Sequence, residues 1–226
     1  MNIENCQYTY GYQRMQNDQS VSAAVVDLHF HVQRGTVAVD HGYALYGAII
    51  RLLQPSVPGS ESWLHNADNV GLHVLRGRYL GNGRLLLGAH ARFGLRLPAM
   101  LIPKALFLAG KRLGLNGDLL RIGVATTEAL IPASALYAHI VTTRNGEEET
   151  RFDEEIARQL EQLLIRGKPT RGPRRIITIK GRKVVGHSLL VAELTAEESI
   201  RLQEAGLGGR RKMGCGVFVP HRSESL

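Results

Sequence analysis

Gly206-Leu207-Gly208-Gly209-Arg210-Arg211-Lys212-Met213-Gly214-Cys215-Gly216 is the stretch on which the reading of this 226-residue chain turns. It has the form GhGxxxxxGhG, with h apolar: two glycine pairs set around three consecutive cations. Such spacing calls for a backbone that bends through positive φ or approaches another group closely, because a Cβ would block both. The cations make an anion the natural group to approach. A loop bent only for folding, with incidental charges, is the competing reading.

Nucleotide loops are excluded by order. A Rossmann fingerprint follows a strand and opens a helix, and a Walker loop ends in Gly-Lys-Ser/Thr. Here a helical stretch, 196–205, precedes the glycines and a short apolar strand, 216–219, follows them. The wider chain is basic, with 28 Lys and Arg against 20 Asp and Glu, a net charge of +8 and a pI near 9.8. That balance suits a polyanionic partner. Cys6 and Cys215 stand at opposite ends of the sequence, so no CxxC or Cys/His zinc spacing can be built from them, and a reducing cytoplasm is expected. No h-region or apolar run of about 18 residues is present, so neither export nor a membrane partner is expected.

Outward from the loop, the periodicities predict an α+β chain. Residues 1–20 form a polar extension with Tyr8, Tyr10 and Tyr12 alternating. Residues 21–34 read as a strand with Leu28, Phe30 and Val32 on one face, and His29 and His31 on the other as a polar sheet face. Asp40 is expected to cap a helix that Pro55 ends. Residues 59–69 are an irregular connection. Strands over 70–79 and 84–97 are joined by Gly81-Asn82-Gly83, a hairpin turn. A helix over 103–113 and a strand over 119–126 complete βαββαβ, the ferredoxin-like unit. The order then recurs: strand 136–144, helix 152–165, hairpin 174–180 with 182–194, helix 196–205, strand 216–219. The expected organisation is therefore an extension 1–20, one ferredoxin-like domain over 21–130, and a second over 134–220 that carries loop 206–216.

Charge is uneven within the second half. Residues 147–161 hold seven acids, whereas 166–183 hold eight cations and no acid. Lys168, Arg171, Arg174, Arg175, Arg182 and Lys183 in that run, with Arg210, Arg211 and Lys212, are candidates for tracking phosphates. A solvated charged face is the alternative reading of the run.

The glycine-rich loop, in this position, resembles the signature loop of the RAMP superfamily of CRISPR-associated RNA-binding proteins. Together with Asp40-His41-Gly42-Tyr43-Ala44-Leu45-Tyr46-Gly47-Ala48-Ile49, it is similar to the CRISPR repeat-cleaving endoribonuclease family, in particular its MYXAN-type branch. The resemblance implies tandem ferredoxin-like folds, with Gly206, Gly208, Gly214 and Gly216 shaping an RNA-binding turn. It further implies CRISPR repeat or guide RNA as partner, with other Cascade-type subunits, and transposition proteins if the system is transposon-linked. The family's general base commonly lies on the first helix, which points to His41. A second catalytic lysine finds no match here. Relatives that bind guide RNA without cutting it supply the alternative, a non-catalytic subunit.

No GxSxG, HExxH or EF-hand spacing occurs, and no carboxylate cluster suited to two magnesium ions. The expected chemistry uses no cofactor and no metal: the RNA's own 2′-OH attacks the adjacent phosphate. His41, in the first turn of its helix, is disfavoured as imidazolium by the helix dipole, and the resemblance makes it the first choice for proton transfer. His65, after Trp63, is the second; Tyr43 and Tyr46 are positioning candidates. The competing readings are a histidine packed at a helix start and a surface histidine beside a buried Trp-Leu anchor.

Overall fold

The computed structural model describes residues 24–54, 63–67 and 70–221. The extension with its three tyrosines, and Pro55, lie outside the described residues. The first half runs β1 (Val25–Val32), β2 (Gly35–Ala38), α1 (Gly42–Leu53), α2 (Trp63–Asn66), β3 (Gly71–His73), β4 (Arg78–Gly81), β5 (Arg84–Leu87) and β6 (Arg92–Pro98). A set of short helical turns that includes α3 (Ile102–Ala105) follows, then β7 (Arg112–Leu115) and β8 (Asp118–Ala129). The second half runs β9 (Leu136–Val141), α4 (Glu149–Gln162), β10 (Lys168–Ile179), β11 (Arg182–Ala192), α5 (Ala196–Ala205) and β12 (Val219–Pro220).

Both halves obey one rule. In the first sheet, ordered β3-β6-β1-β8-β7, the strands of the βαββαβ unit lie second-third-first-fourth, and β7 extends the edge as a hairpin with β8. The second sheet, β10-β11-β9-β12, repeats second-third-first-fourth. This is the tandem ferredoxin-like arrangement that the periodicities predict. Each sheet buries one face against its helices. Leu28, Phe30 and Val32 enter one core with Leu45 and Ile49 of α1, while Phe152, Ile156 and Leu160 of α4 close a separate core over Leu136 and Leu189.

The halves are clasped by a buried charge. Arg96, 1% exposed, forms a two-pronged pair with Asp27 at 2.8 Å on each prong. Its Nη1 donates to the carbonyls of Gln203 (2.9 Å) and Phe218 (2.6 Å) in the other half. Burial would raise the Asp27 carboxyl, but hydrogen bonds from Arg96 and His73 outweigh it and hold the group far below the usual carboxylate range. A buried guanidinium with every prong engaged fixes register; losing one partner would strand a charge.

Several expected elements shift. The long strands 70–79 and 84–97 each divide: β4 and β5 leave the main sheet and pair with β2 in a separate three-stranded sheet, ordered β2-β5-β4. Gly77 makes the first crossing possible, since a Cβ there would sit 2.4 Å from the Leu86 carbonyl oxygen. The helix expected over 103–113 stops early, its last turn tightening over Leu106–Leu108 before Ala109 turns extended and Gly110 takes φ +77, and Leu113 is buried from a strand instead. The expected loop before residue 174 is already strand: β10 is an edge strand, where Pro169 and Pro173 need donate nothing inward.

Candidate active site

The glycine-rich loop follows α5, whose start is fixed by a capping box. Thr195 Oγ1 accepts the Glu198 N–H at 3.2 Å, and the Glu198 carboxylate accepts the Thr195 N–H at 2.9 Å. The four glycines of the two GhG pairs all take positive φ. Gly206 ends the helix at φ 64, and a Cβ there would meet the Gly216 carbonyl oxygen at 2.4 Å and Arg211 Nε at 2.7 Å. Glycine therefore makes room for the Arg211 side chain. The loop is sewn to the second sheet by Gly209 N–H to Thr142 O (2.9 Å) and Gly216 N–H to Ile140 O (2.8 Å). Gln159 of α4 accepts the Gly208 N–H at 2.7 Å.

The cations leave this frame in different directions. Arg210, itself at φ 64, donates to Thr142 Oγ1 at 3.3 Å. Arg211 buries Nε and Nη2 without a protein partner, and burial, with the Arg96 charge adding to it, pushes its guanidinium down to about 10, still cationic at neutral pH. Lys212 Nζ donates to the His65 carbonyl at 2.6 Å. These residues form one wall of an open cleft of about 410 Å³ whose other wall holds Tyr46, His65 and Val70. Tyr46 Oη lies 3.3 Å from His65 Nδ1. The fold thus brings Tyr46, His65 and the cationic loop together from three separate segments.

His41 sits behind this surface. Its neighbour Gly42 presses on the loop, with a Cβ there 2.3 Å from the Met213 carbonyl oxygen, yet the ring is 3% exposed. Nδ1 faces the carbonyls of Ala38 (2.8 Å) and Val39 (3.1 Å), so it carries the proton. Nε2 then accepts the Leu75 N–H at 3.0 Å. The ring is pushed toward neutrality as expected, but by burial, which the two carbonyls oppose. The expected cap is corrected as well: His41 itself occupies the cap position without a side-chain cap bond, and the Asp40 carboxylate instead accepts the Thr178 N–H of β10 at 2.6 Å. Tyr43, half-buried on α1, does not line the cleft.

The basic run divides. Lys168 pairs with Glu193 (2.8 Å), and Arg171 with Glu149 (2.9 Å) and Asp153 (3.0 Å). Arg174, Arg175, Arg182 and Lys183 have no ion pair among the described residues. They occupy the part of the β10–β11 hairpin that begins where β9 pairing ends at His187, and the hairpin reaches the first half at Asp40. The sequence reading missed the Asp27-Arg96 clasp, for which an Asp and an Arg in otherwise apolar strands are the signal.

Two ferredoxin-like units, the second carrying a glycine-rich turn that lines a cleft against the first, define a RAMP-type fold. A solved structure described as "CRISPR associated protein Cas6" matches with a TM-score of 0.65 at 11% identity, covering 88% of this chain and all of that one. Another, described as "An RAMP protein binding different RNA substrates", matches at 0.64 and 12% identity over 85% of this chain and 98% of its own. The "CRISPR-associated endonuclease Cas6" of Myxococcus xanthus (strain DK1622) is 39% identical over 196 residues, 86% of this chain and 81% of that protein. The family model described as "Cas6 Crispr" matches residues 26–223, and the chain belongs to the Cas6 family.

Proposed function

We propose that this chain is an endoribonuclease that binds CRISPR repeat RNA and cuts precursor CRISPR RNA through the RNA's own 2′-OH, without a metal. In this reading residues 21–130 and 134–220 act as two ferredoxin-like domains sharing one RNA. The protein works in the cytoplasm and keeps its product as guide RNA beside other Cascade-type subunits. The observation that carries it is the convergence of the Tyr46-His65 pair with Arg210, Arg211 and Lys212 in one cleft, in a chain 39% identical to a protein named an endonuclease.

The 2′ oxygen attacks phosphorus as the P–O5′ bond breaks, giving a 2′,3′-cyclic phosphate and a 5′-OH. A base must take the 2′ proton, and an acid must supply one to the 5′ oxygen. Cations must meet the charge gathering on the phosphorane. His65 is exposed on the cleft wall, and Tyr46 sets its tautomer. With Nδ1–H donating to the Tyr46 oxygen, Nε2 of the neutral ring is free to take the 2′ proton, and the imidazolium so formed carries an Nε2–H that can be given to the 5′ oxygen. Arg211 lines the cleft, and its guanidinium, whose Nε and Nη2 are buried without a partner, is the candidate for the phosphorane once it turns outward.

A second assignment, His41 as the base, is favoured by its neutrality and its place against the loop. It requires the Leu75 N–H to be released from Nε2 when RNA enters. The two separate experimentally. His65→Ala is expected to slow cleavage about a hundredfold with folding and RNA binding unchanged. His41→Ala leaves two carbonyls and an amide unsatisfied and is expected to lower stability by about 1–3 kcal/mol. Folded, RNA-bound His41→Ala without cleavage, beside a fully active His65→Ala, would transfer the base role to His41.

The function itself is tested with cognate repeat RNA in EDTA, beside a substrate with a single 2′-deoxy substitution at the cut. Cleavage of the first alone supports the nuclease. Tight binding of both without cleavage supports the non-catalytic guide-RNA subunit.

A further inference from the structure

Arg76-Gly77-Arg78-Tyr79-Leu80-Gly81-Asn82-Gly83-Arg84 packs three arginines and a tyrosine into nine residues around a hairpin turn. Their roles differ. Arg84 belongs to the fold, holding Asp118 with both prongs and Thr36 besides. Arg76 and Arg78 are exposed and have no ion pair among the described residues. Tyr79 is 63% exposed on β4, the outer strand of the three-stranded sheet, and Leu80 beside it is 48% exposed. The Tyr79 hydroxyl accepts the Gly83 N–H at 3.4 Å, a long contact within the same hairpin.

Position gives this surface its meaning. The Gly83 carbonyl accepts the Val39 N–H at 2.8 Å, and the next residue, Asp40, accepts the Thr178 N–H at 2.6 Å. Two adjacent residues therefore join the β4–β5 hairpin to the tip of the β10–β11 hairpin, where Lys180, Arg182 and Lys183 stand exposed. On its other flank Arg76 lies within electrostatic reach of His139 on β9, as does Arg175 of β10. On the His139 flank the unpaired cations of the second half thus continue through Arg175 onto Arg76, whereas at the other link the Asp40 carboxylate stands between the two hairpins, tied to the Thr178 N–H.

We infer that β4 and the approach to it form a second RNA subsite, taking unpaired nucleotides that flank the scissile phosphate. Arg76 and Arg78 hold phosphates, and Tyr79 stacks on a base. The inference rests on the RNA-cleaving reading above. Charge complementarity and continuity with the free cations of β10 specify the ligand as RNA. An exposed ring beside cations specifies a single strand, since paired bases offer no open face to stack on.

The test uses non-cleavable 2′-deoxy-substituted repeat RNAs, with and without eight unpaired nucleotides added on the 5′ or the 3′ side. For the wild-type protein, one extension is expected to tighten binding about tenfold. Tyr79→Ala and the double variant Arg76→Ala, Arg78→Ala should abolish that gain while binding the unextended RNA as before. The double variant should also flatten the salt slope for the extended RNA by about 1.4, from two single-strand phosphate contacts. All three side chains are exposed, so unchanged thermal unfolding is expected. Equal wild-type affinity for every RNA, or variants that weaken the unextended RNA equally, overturns the subsite while leaving the nuclease reading intact. Variants that lose a protein subunit but no RNA affinity would also overturn it, marking a protein interface. A wild-type protein that binds none of the RNAs sinks both readings.

Discussion

The glycine-rich loop and strand β10 are both cationic, yet they hold their charges in opposite ways. In the loop every cation has its own backbone constraint: Arg210 at φ 64, Arg211 folded over Gly206, Lys212 bonded to the His65 carbonyl. In β10 the cations stand on a regular ladder, and what separates them is the neighbouring acids. Before the irregularity between Arg171 and Arg174, acids of α4 and Glu193 neutralise the strand; beyond it they do not. Position decides what a loop cation can do, whereas local charge balance decides it for a strand cation.

The largest way to break this contrast is at Gly216. A Cβ there would stand 2.0 Å from the Leu207 carbonyl oxygen, at φ +63. Neither backbone can yield without undoing the bonds to Thr142 and Ile140. Gly216→Ala is expected to cost about 3 kcal/mol or more and to abolish RNA binding, measured by thermal unfolding and a binding titration. Arg174→Ala, on the exposed ladder, should leave unfolding unchanged. A Gly216→Ala protein that melts and binds like wild type would mean that the loop's bends are incidental.

Next in size is a change that keeps the charge. Arg211→Lys removes the fork while preserving +1, and about thirtyfold weaker binding is expected, near 2 kcal/mol for lost charge-assisted bonds. Arg174→Lys should stay within twofold, because an exposed phosphate contact on a strand asks only for a cation. Equal responses would remove the distinction between the two regions.

The same contrast explains what the sequence could tell. Loop 206–216 was legible because its glycines are local requirements: each positive φ is set by chain geometry that the spacing reports. Two ferredoxin-like units were legible because hydrophobic period and element order repeat. The sheet of β2, β5 and β4 was not, since hydrophobic alternation does not report which sheet a strand joins; the one local sign is the slip of phase at Val74-Leu75, just before Gly77. Of the proton-transfer candidates, the family resemblance favoured His41 over His65. The sequence could not report that the Leu75 amide, 34 residues on, occupies the ring, nor that Tyr46 and His65 would meet on one wall of the cleft. Whether Lys168 and Arg171 are free was equally hidden, because their carboxylates come from other elements.

The smallest expected effect is therefore the one that isolates pairing. Arg174→Ala with Arg175→Ala should weaken RNA binding about tenfold and lower the salt slope by about 1.4 to 1.8, depending on whether the strand contacted is single or paired. Lys168→Ala with Arg171→Ala removes the same formal charge from the same strand, yet should change affinity by no more than about twofold. The Arg171 pairs involve half-exposed to exposed carboxylates, so breaking them costs the fold about 1 kcal/mol or less. The decisive counterpart is Glu149→Gln with Asp153→Asn, which frees Arg171 without adding a cation. If pairing is what silences the near end of β10, that variant binds RNA about two- to threefold more tightly and its salt dependence steepens. If affinity stays flat, distance from the RNA path keeps Arg171 out, and the acids of α4 are bystanders.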